Sequence, residues 1–286
     1  MKIKFWGCRG SLPTPESDKL RYGGNTTCLE IETATGERIV IDAGSGIRNL
    51  GKALCAGKVG QNIRFFFTHS HWDHLMGFPF FQPAYAKDFT LSFCSGHHAQ
   101  DTVRNFLAHQ MEPPYFPVDF SAIQAKTIFH CDNPDNIERN CQCAGAEVRP
   151  IELNHPNGGF GYKIIDAGAT CVFLSDNELD YPHPGGPDRA VFIDFCRNCD
   201  LLIHDAQYTD SEYERTRGWG HSTFNAATDL AIAAKVRRFG LFHHDPDRSD
   251  TDLDRQVALC RERIHRAGSS VECFAVAEGM ELELKR

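Results

Sequence analysis

The stretch Phe66–Leu75, FFTHSHWDHL, decides how this chain is read: an apolar strand runs directly into His69-x-His71-x-Asp73-His74. In extended backbone, residues two apart share a face, so His69 and His71 can grip one cation. Asp73 and the adjacent His74 need a turn, which aims them at a second cation beside the first. The competing reading is a polar loop with fortuitous histidines. It is hard to sustain, because strand cores rarely end in so many metal-binding groups without a metal to pair them.

One motif cannot complete two sites, so further ligands must come from distant strand ends. His155 follows EVRPIEL, Asp176 follows TCVFL and His243 follows FGLF, each just past an apolar run. Taken singly, His155 reads equally well as a turn histidine, Asp176 as an Asx-turn residue in SDN, and His243 as a partly buried histidine. Taken with HSHWDH, they read as the rest of a metal centre on one rim of the predicted sheets.

Strands are expected at Lys2–Trp6, Cys28–Glu32, Arg38–Ile41, Ile63–Phe67 and Thr90–Phe93. A second set is expected at Glu147–Leu153, Gly161–Ile165, Thr170–Leu174, Leu201–Ile203, Phe239–Phe242 and Val271–Phe274. They alternate with segments of helical period at Ile47–Ala56, Ala99–Gln110, Ala190–Arg197, Thr223–Lys235 and Thr251–Ala267, the pattern of an α/β layered fold with two sheets. In the last helix Leu253, Val257, Cys260 and Ile264 form one apolar stripe, with Ser249 or Asp250 to cap its start and Gly268 its end. Ser222 reads as the N-cap of the helix Thr223–Lys235. No repeat, low-complexity tract or Gly/Ser linker divides the chain, and the Pro- and aromatic-rich Glu112–Asp119 reads as a surface loop or lid. A single domain over residues 1–286 is therefore expected.

Of 286 residues, 30 are basic and 38 acidic, giving a net charge of -8, and no basic run concentrates positive charge, which excludes a generic polyanion binder. With 41% hydrophobic residues the chain can fill a core, and it is not disordered. MKIKFWGCRGSLPTPE has no apolar stretch long enough for a secretory signal, and nowhere do about 18 apolar residues run together. A cytoplasmic protein with no membrane partner is expected, with its 12 cysteines as thiols. Cys141-x-Cys143 and Cys196-x-x-Cys199, with Cys131 or His130 nearby, suggest a structural zinc or a redox pair. The plainer reading is small buried side chains.

The order of GGNTTC, IVIDAGSG, HSHWDH, NHPNGGFGYKI, FLSDNE, LLIHDAQYT, GWGHST and LFHHDPDRSD resembles the metallo-β-lactamase superfamily over nearly the whole chain, and within it the ribonuclease Z and phosphodiesterase branch. The resemblance implies a four-layer αβ/βα sandwich with a dinuclear site at the sheet edges. It implies two zinc ions, with manganese or iron also accepted by such ligands. By position, His69, His71 and His155 hold one ion, Asp73, His74 and His243 the other, and Asp176 bridges them.

Two cations about 3.5–4 Å apart lower the pKa of a shared bridging water toward neutrality, giving a hydroxide nucleophile, and clamp the oxygens of an in-line displacement at phosphorus. His221 of GWGHST is the candidate donor of a proton to the leaving alkoxide, with Asp205 of IHDAQYT to orient it. In ribonuclease Z the residue matching Asp205 is usually Glu. Those enzymes commonly carry a long arm for tRNA between the positions matching His155 and Asp176, and here twenty residues separate the two. With the negative charge, this favours a small phosphodiester, such as a cyclic nucleotide or alkyl phosphodiester, and makes tRNA an unexpected substrate. The pair His244-Asp245 replaces the family's Phe-Ser after the last ligand.

Three rival readings stay open: a thioesterase of the glyoxalase II kind, a ribonuclease Z-like RNA-processing nuclease, and a non-catalytic metal-bound sensor. β-Lactamases generally lack the equivalent of His74, and flavodiiron proteins usually carry Glu at the position of His71. Phe78, Phe80, Phe81, Tyr115 and Phe116 are candidates for an apolar wall against a nucleobase, with core packing as the alternative for half of them. Asn25 in YGGNTTC is a further substrate candidate, though Gly-Gly-Asn is also what a tight turn needs. His183 can rim the pocket, His97 and His98 read as solvated, and a homodimer is compatible with the sequence.

Overall fold

The computed structural model describes residues 1–57, 62–94, 102–129, 141–143 and 145–285. Two sheets of seven strands each form among them. The first contains β1 (Lys2–Gly7), β2 (Cys28–Glu32), β3 (Arg38–Ile41), β4 (Asn62–Phe66), β5 (Thr90–Phe93) and β6 (Lys126–Phe129), with the last strand β14 (Glu281–Glu283) added beside β1. The second runs through β7 (Cys141–Cys143), β8 (Ala146–Glu152), β9 (Phe160–Asp166), β10 (Ala169–Leu174), β11 (Leu201–Asp205), β12 (Arg238–Phe242) and β13 (Glu272–Ala275) in spatial order. Each sheet is built alike. β3 to β6 pair parallel, as do β10 to β13, while the remaining strands of each sheet pair antiparallel.

The helices are α1 (Ile47–Ala56), α2 (Trp72–Leu75), α3 (Val103–His109), α4 (Arg189–Cys196), α5 (Asp210–Thr216), α6 (Phe224–Ala233) and α7 (Asp250–Arg266). Three apolar clusters explain the layering. One lies between the sheets, joining Phe5, Ile31 and Phe66 of the first to Ile164, Phe173 and Ile203 of the second. Another packs the outer face of the second sheet on α4, α6 and α7, and the third packs the first sheet on α1, α3 and the Phe78–Tyr85 segment. Helix, sheet, sheet, helix is the expected four-layer αβ/βα sandwich.

Strand polarity places the site. Parallel strands carry their functional groups beyond their carboxyl ends, and here those ends are level: Ile41 pairs with Phe66, Leu174 with His204, and Asp205 with Phe242. Asp42, Asp176 and His243, just past such ends, have φ of 62°, 55° and 57°. Left-handed backbone is uncommon for residues other than glycine, and at these positions it turns the chain where the strands stop.

Local differences from expectation have physical causes. The helix after His221 is capped by Thr223, whose side chain accepts from the Ala226 N–H, and not by Ser222. The Ser222 hydroxyl instead donates to the Asn177 carbonyl at 2.5 Å and accepts from the Leu179 N–H at 3.1 Å. Ser249 caps α7 as expected, and the stripe of Leu253, Val257, Cys260 and Ile264 is buried. Between β9 and β10 the chain turns through Ala167 and Gly168, both at positive φ, in a tight hairpin that leaves no arm at that place.

Candidate metal centre

Two groups of side chains converge at the level strand ends. His69, His71, His155 and Asp176 bring one ligand atom each within 4.8 Å of one another, and so do Asp73, His74, Asp176 and His243. Asp176 belongs to both. Its Oδ2 lies 3.6 Å from His69 Nε2 and 3.8 Å from His155 Nε2, while its Oδ1 lies 3.3 Å from His74 Nε2 and 3.2 Å from His243 Nε2. One carboxylate thus turns an oxygen to each group. All the residues expected from the sequence as ligands meet here, four from the segment after β4 that includes α2 and three from just past strands of the second sheet.

Three of the imidazoles are held by their other nitrogen, which fixes the tautomer. His74 Nδ1 faces Asp42 Oδ2 at 2.8 Å, and His155 Nδ1 donates to the Gly220 carbonyl at 2.9 Å. His69 Nδ1 lies 3.0 Å from the Thr68 hydroxyl, which in turn donates to Asp42 Oδ2 at 2.9 Å. Asp42 therefore orients one histidine of each group, directly and through Thr68. It was not among the expected site residues, yet a carboxylate ending the apolar run RIVI was the same signal as Asp176 after TCVFL. Ser11, also missed, donates its N–H to Asp73 Oδ2 at 2.9 Å.

The electrostatics suit cations. Burial holds His69 well below the ordinary imidazole range and brings His155 down to about 3, so these rings are neutral. Burial also opposes charge on His74 and His243, but the carboxylates beside them win. Asp73 with Asp176 and Asp42 lift His74 well up, and Asp176 with Asp73 raises His243 to about 9. Burial would push the Asp176 carboxyl up, but His243 and His74 hold it well down. His69 Nε2 and His74 Nε2 are buried, aimed into the cluster and without a hydrogen-bond partner. Unpartnered imidazole nitrogens beside ionised carboxylates are the donor set a divalent ion takes, and the residues fit one.

Beside them, His221 Nδ1 meets Asp205 Oδ2 at 2.8 Å, so aspartate spans the distance without the extra methylene of glutamate. Burial pushes the Asp205 carboxyl up and brings His221 down to about 4. That contact fixes the ring through Nδ1 and leaves Nε2 as its other nitrogen. His221 lines a cavity of about 430 Å³ together with Ser11, Ser70, His71, Trp72, Asp73, Asp176 and His243.

Part of the expected aromatic wall is core. Phe78 is 1% exposed and packs its ring on Phe65, Phe93 and Phe120, and Phe81 is likewise core. Phe80 meets Phe116 edge to face at 5.5 Å and, like the exposed Tyr115, is not part of the cavity lining. Asn25 is spent on structure, donating to Glu278 Oε1 at 2.7 Å and accepting from Ser45 Oγ at 2.9 Å. The aromatic side chain of the lining is Trp72, 80% exposed, within the motif itself. His244 is buried away from the cavity, with Nε2 on the Val276 carbonyl, and His183 is tied to Glu178. Cys196 and Cys199 are free, buried in the outer core and part of no metal-binding group among the described residues. His97, His98, His130, Cys131 and the Cys141 and Cys143 side chains lie outside the described residues.

Comparison with known proteins agrees with this picture. Residues 37–244 match the family model described as beta-lactamase superfamily domain. Ribonuclease Z of Natronomonas pharaonis is 23% identical, with 85% of this chain and 86% of that protein aligned. The fold is like that of human tRNase Z, short form, with a TM-score of 0.64 and 19% identity over the full length of both chains. It is also like a diphosphatase of the PhnP family, with a TM-score of 0.67 and 17% identity over 99% of this chain and 98% of that one. Such relatives give no support to the expectation that tRNA is an unexpected substrate. The family match covers most of the chain and leads to one conclusion: the chain belongs to the beta-lactamase superfamily, whose ribonuclease Z members it resembles at low identity.

Proposed function

We propose that the chain, as one domain over residues 1–286, is a phosphodiesterase acting on a small phosphodiester. His69, His71 and His155 hold one divalent ion, Asp73, His74 and His243 a second, and Asp176 is shared between them. The observation that carries this reading is the Asp176 carboxylate, with Oδ2 toward the first trio and Oδ1 toward the second. Divalent ions bound there supply Lewis acidity toward a phosphoryl oxygen and a water of lowered pKa. The imidazole and carboxylate set suits zinc, and manganese or iron is taken by the same atoms.

The chain's own part is proton management. An alkoxide leaving from phosphorus needs a proton, and His221 presents one on Nε2 while Asp205 holds Nδ1. A thiolate leaves without such help, so the dyad favours the phosphodiester over the thioester. Three features support a small substrate: the cavity of about 430 Å³, the tight hairpin between His155 and Asp176, and the net charge of -8. Processing of RNA is the second reading, favoured by the ribonuclease Z relatives. A cytoplasmic setting is part of the proposal, and among the described residues no helix is long and apolar enough to cross a membrane.

The test is turnover of bis(p-nitrophenyl) phosphate, 3′,5′-cyclic mononucleotides, S-lactoylglutathione and precursor tRNA, with zinc and with manganese. Hydrolysis of the first two is expected. Turnover of the thioester alone overturns the proposal, cleavage of precursor tRNA alone selects the second reading, and inertness toward all four turns the protein into a metal-bound sensor.

A further inference from the structure

Glu178 stands two residues beyond Asp176 and is fully buried. Each of its oxygens accepts two hydrogen bonds. Oε1 takes them from the Tyr213 hydroxyl at 2.6 Å and the Gly218 N–H at 2.7 Å. Oε2 takes them from His183 Nε2 at 2.8 Å and the Gly220 N–H at 2.7 Å. A carboxylate has about four acceptor positions, and here all are used. The donors come from three separate segments: the His183 loop, helix α5, and the turn that carries Gly218 and Gly220.

That turn leads to the metal centre. Gly218 and Gly220 have φ of 86° and 93°, so the segment folds back sharply. The N–H of Gly220 is fastened to Glu178, while its carbonyl accepts the His155 Nδ1 proton at 2.9 Å. His221, which meets Asp205, is the next residue. The fit is tight: a Cβ on Gly220 falls 2.0 Å from His155 Nδ1. One buried carboxylate thus fixes the glycine whose carbonyl orients a proposed ligand of the first trio and which leads into the residue proposed to present the proton.

We propose that Glu178 is a positioning residue that sets the His155 tautomer and the placement of His221 by clamping Gly218 and Gly220. The inference rests on the reading of His155 as a metal ligand and of His221 as a proton donor. Glutamine has nearly the same shape but offers one acceptor oxygen and an NH2, which would oppose two of the four donors. A buried donor left without an acceptor forces the turn to move.

The experiment uses the zinc-loaded full chain with Glu178→Gln and Tyr213→Phe. Competition against a chromogenic chelator should show one zinc equivalent weakened roughly 10- to 100-fold, as for loss of a group that orients a ligand, and the other unchanged. The rate ratio of a 3′,5′-cyclic mononucleotide to bis(p-nitrophenyl) phosphate should fall by about tenfold or more, because the alkoxide needs the acid and nitrophenolate needs it less. In a His221→Ala background the further fall in this ratio should vanish, since groups acting as a unit are not additive. Wild-type affinity for both equivalents with an unchanged ratio overturns the proposal, as does a loss that adds in full to that of His221→Ala. Should Glu178→Gln not fold, Tyr213→Phe, which keeps the carboxylate and removes one donor, should show the same pattern at smaller amplitude. If the wild type cleaves no phosphodiester, the proposed function fails, while the zinc titration still decides the role of Glu178.

Discussion

Replacing Asp42 by Asn tests the tautomer logic at one atom. Asp42 is buried and accepts the Thr68 N–H at 2.7 Å on Oδ1, and on Oδ2 the Thr68 hydroxyl at 2.9 Å and His74 Nδ1 at 2.8 Å. Asparagine tolerates the left-handed backbone at φ 62°, so the main chain is undisturbed. Its Oδ1 can still serve the Thr68 N–H, but its NH2 then faces His74 Nδ1. That nitrogen must accept, and the proton moves to Nε2, the atom 3.3 Å from both Asp73 and Asp176. Restoring the binding tautomer leaves a buried donor unpaired, at about 1–3 kcal/mol. Mutation of groups orienting metal ligands costs roughly 10- to 100-fold in affinity, or about 1.4–2.8 kcal/mol, and the two figures agree. A chelator-competition titration of Asp42→Asn should show this loss for the equivalent bound by Asp73, His74 and His243. The trio of His69, His71 and His155 should keep its affinity, because the Thr68 hydroxyl can still accept from His69. Wild-type affinity at both sites, or equal weakening of both in a folded variant, would refute the reasoning.

Asp176→Ala should lose at least one metal equivalent by elemental analysis and most activity, whereas His221→Ala should keep its metal and slow an alkoxide leaving group by roughly 100-fold or more; equal metal loss in the two contradicts that division of roles. Gly220→Ala, with φ of 93° and a Cβ 2.0 Å from His155 Nδ1, should lower metal occupancy although no ligand is replaced, as read by the same analysis. Burial alone would raise the Glu212 carboxyl, but hydrogen bonds from Arg248 and Thr209 bring it from 4.5 to about 2. A depressed carboxylate stabilises the fold above its unfolded pKa, and that stabilisation is lost as pH falls from about 4.5 toward 2. Urea unfolding at pH 5 and pH 3 should show a smaller drop for Glu212→Gln than for the wild type, and an equal drop would contradict the assignment.

The sequence was most legible where local pattern and tertiary role coincide. Cys28–Glu32, Arg38–Ile41 and Thr90–Phe93 form strands at the residues expected, because they are short, largely buried segments rich in β-branched and apolar residues. The short edge strand Glu281–Glu283 was not visible: its Glu-Leu-Glu has no pattern of its own and pairs only because β1 offers an open edge. Helix α5, DSEYERT, buries none of its residues and so shows no apolar stripe, yet its capping box of Thr209 and Glu212 was written in the sequence. The seven candidate ligands were legible because they cluster just past apolar runs. Glu178 was not, since its four donors come from segments that meet only in the folded chain. Of the aromatic candidates, Phe78 and Phe81, beside the motif in sequence, face the helical layer, which the sequence did not show.

The ligands are divided between the two halves of the sandwich, four after β4 and three after strands of the opposite sheet. Under the proposed assignment, each bound ion rivets one half to the other, so chelation is also fastening. Any ion that binds only the folded chain adds about 2.7 kcal/mol at a free concentration one hundred times its Kd. Scarcity of metal then does more than silence the enzyme. It loosens the seam between the halves and exposes the chain to proteolysis, so that the cell's supply of the ion sets the lifetime of this protein as well as its output.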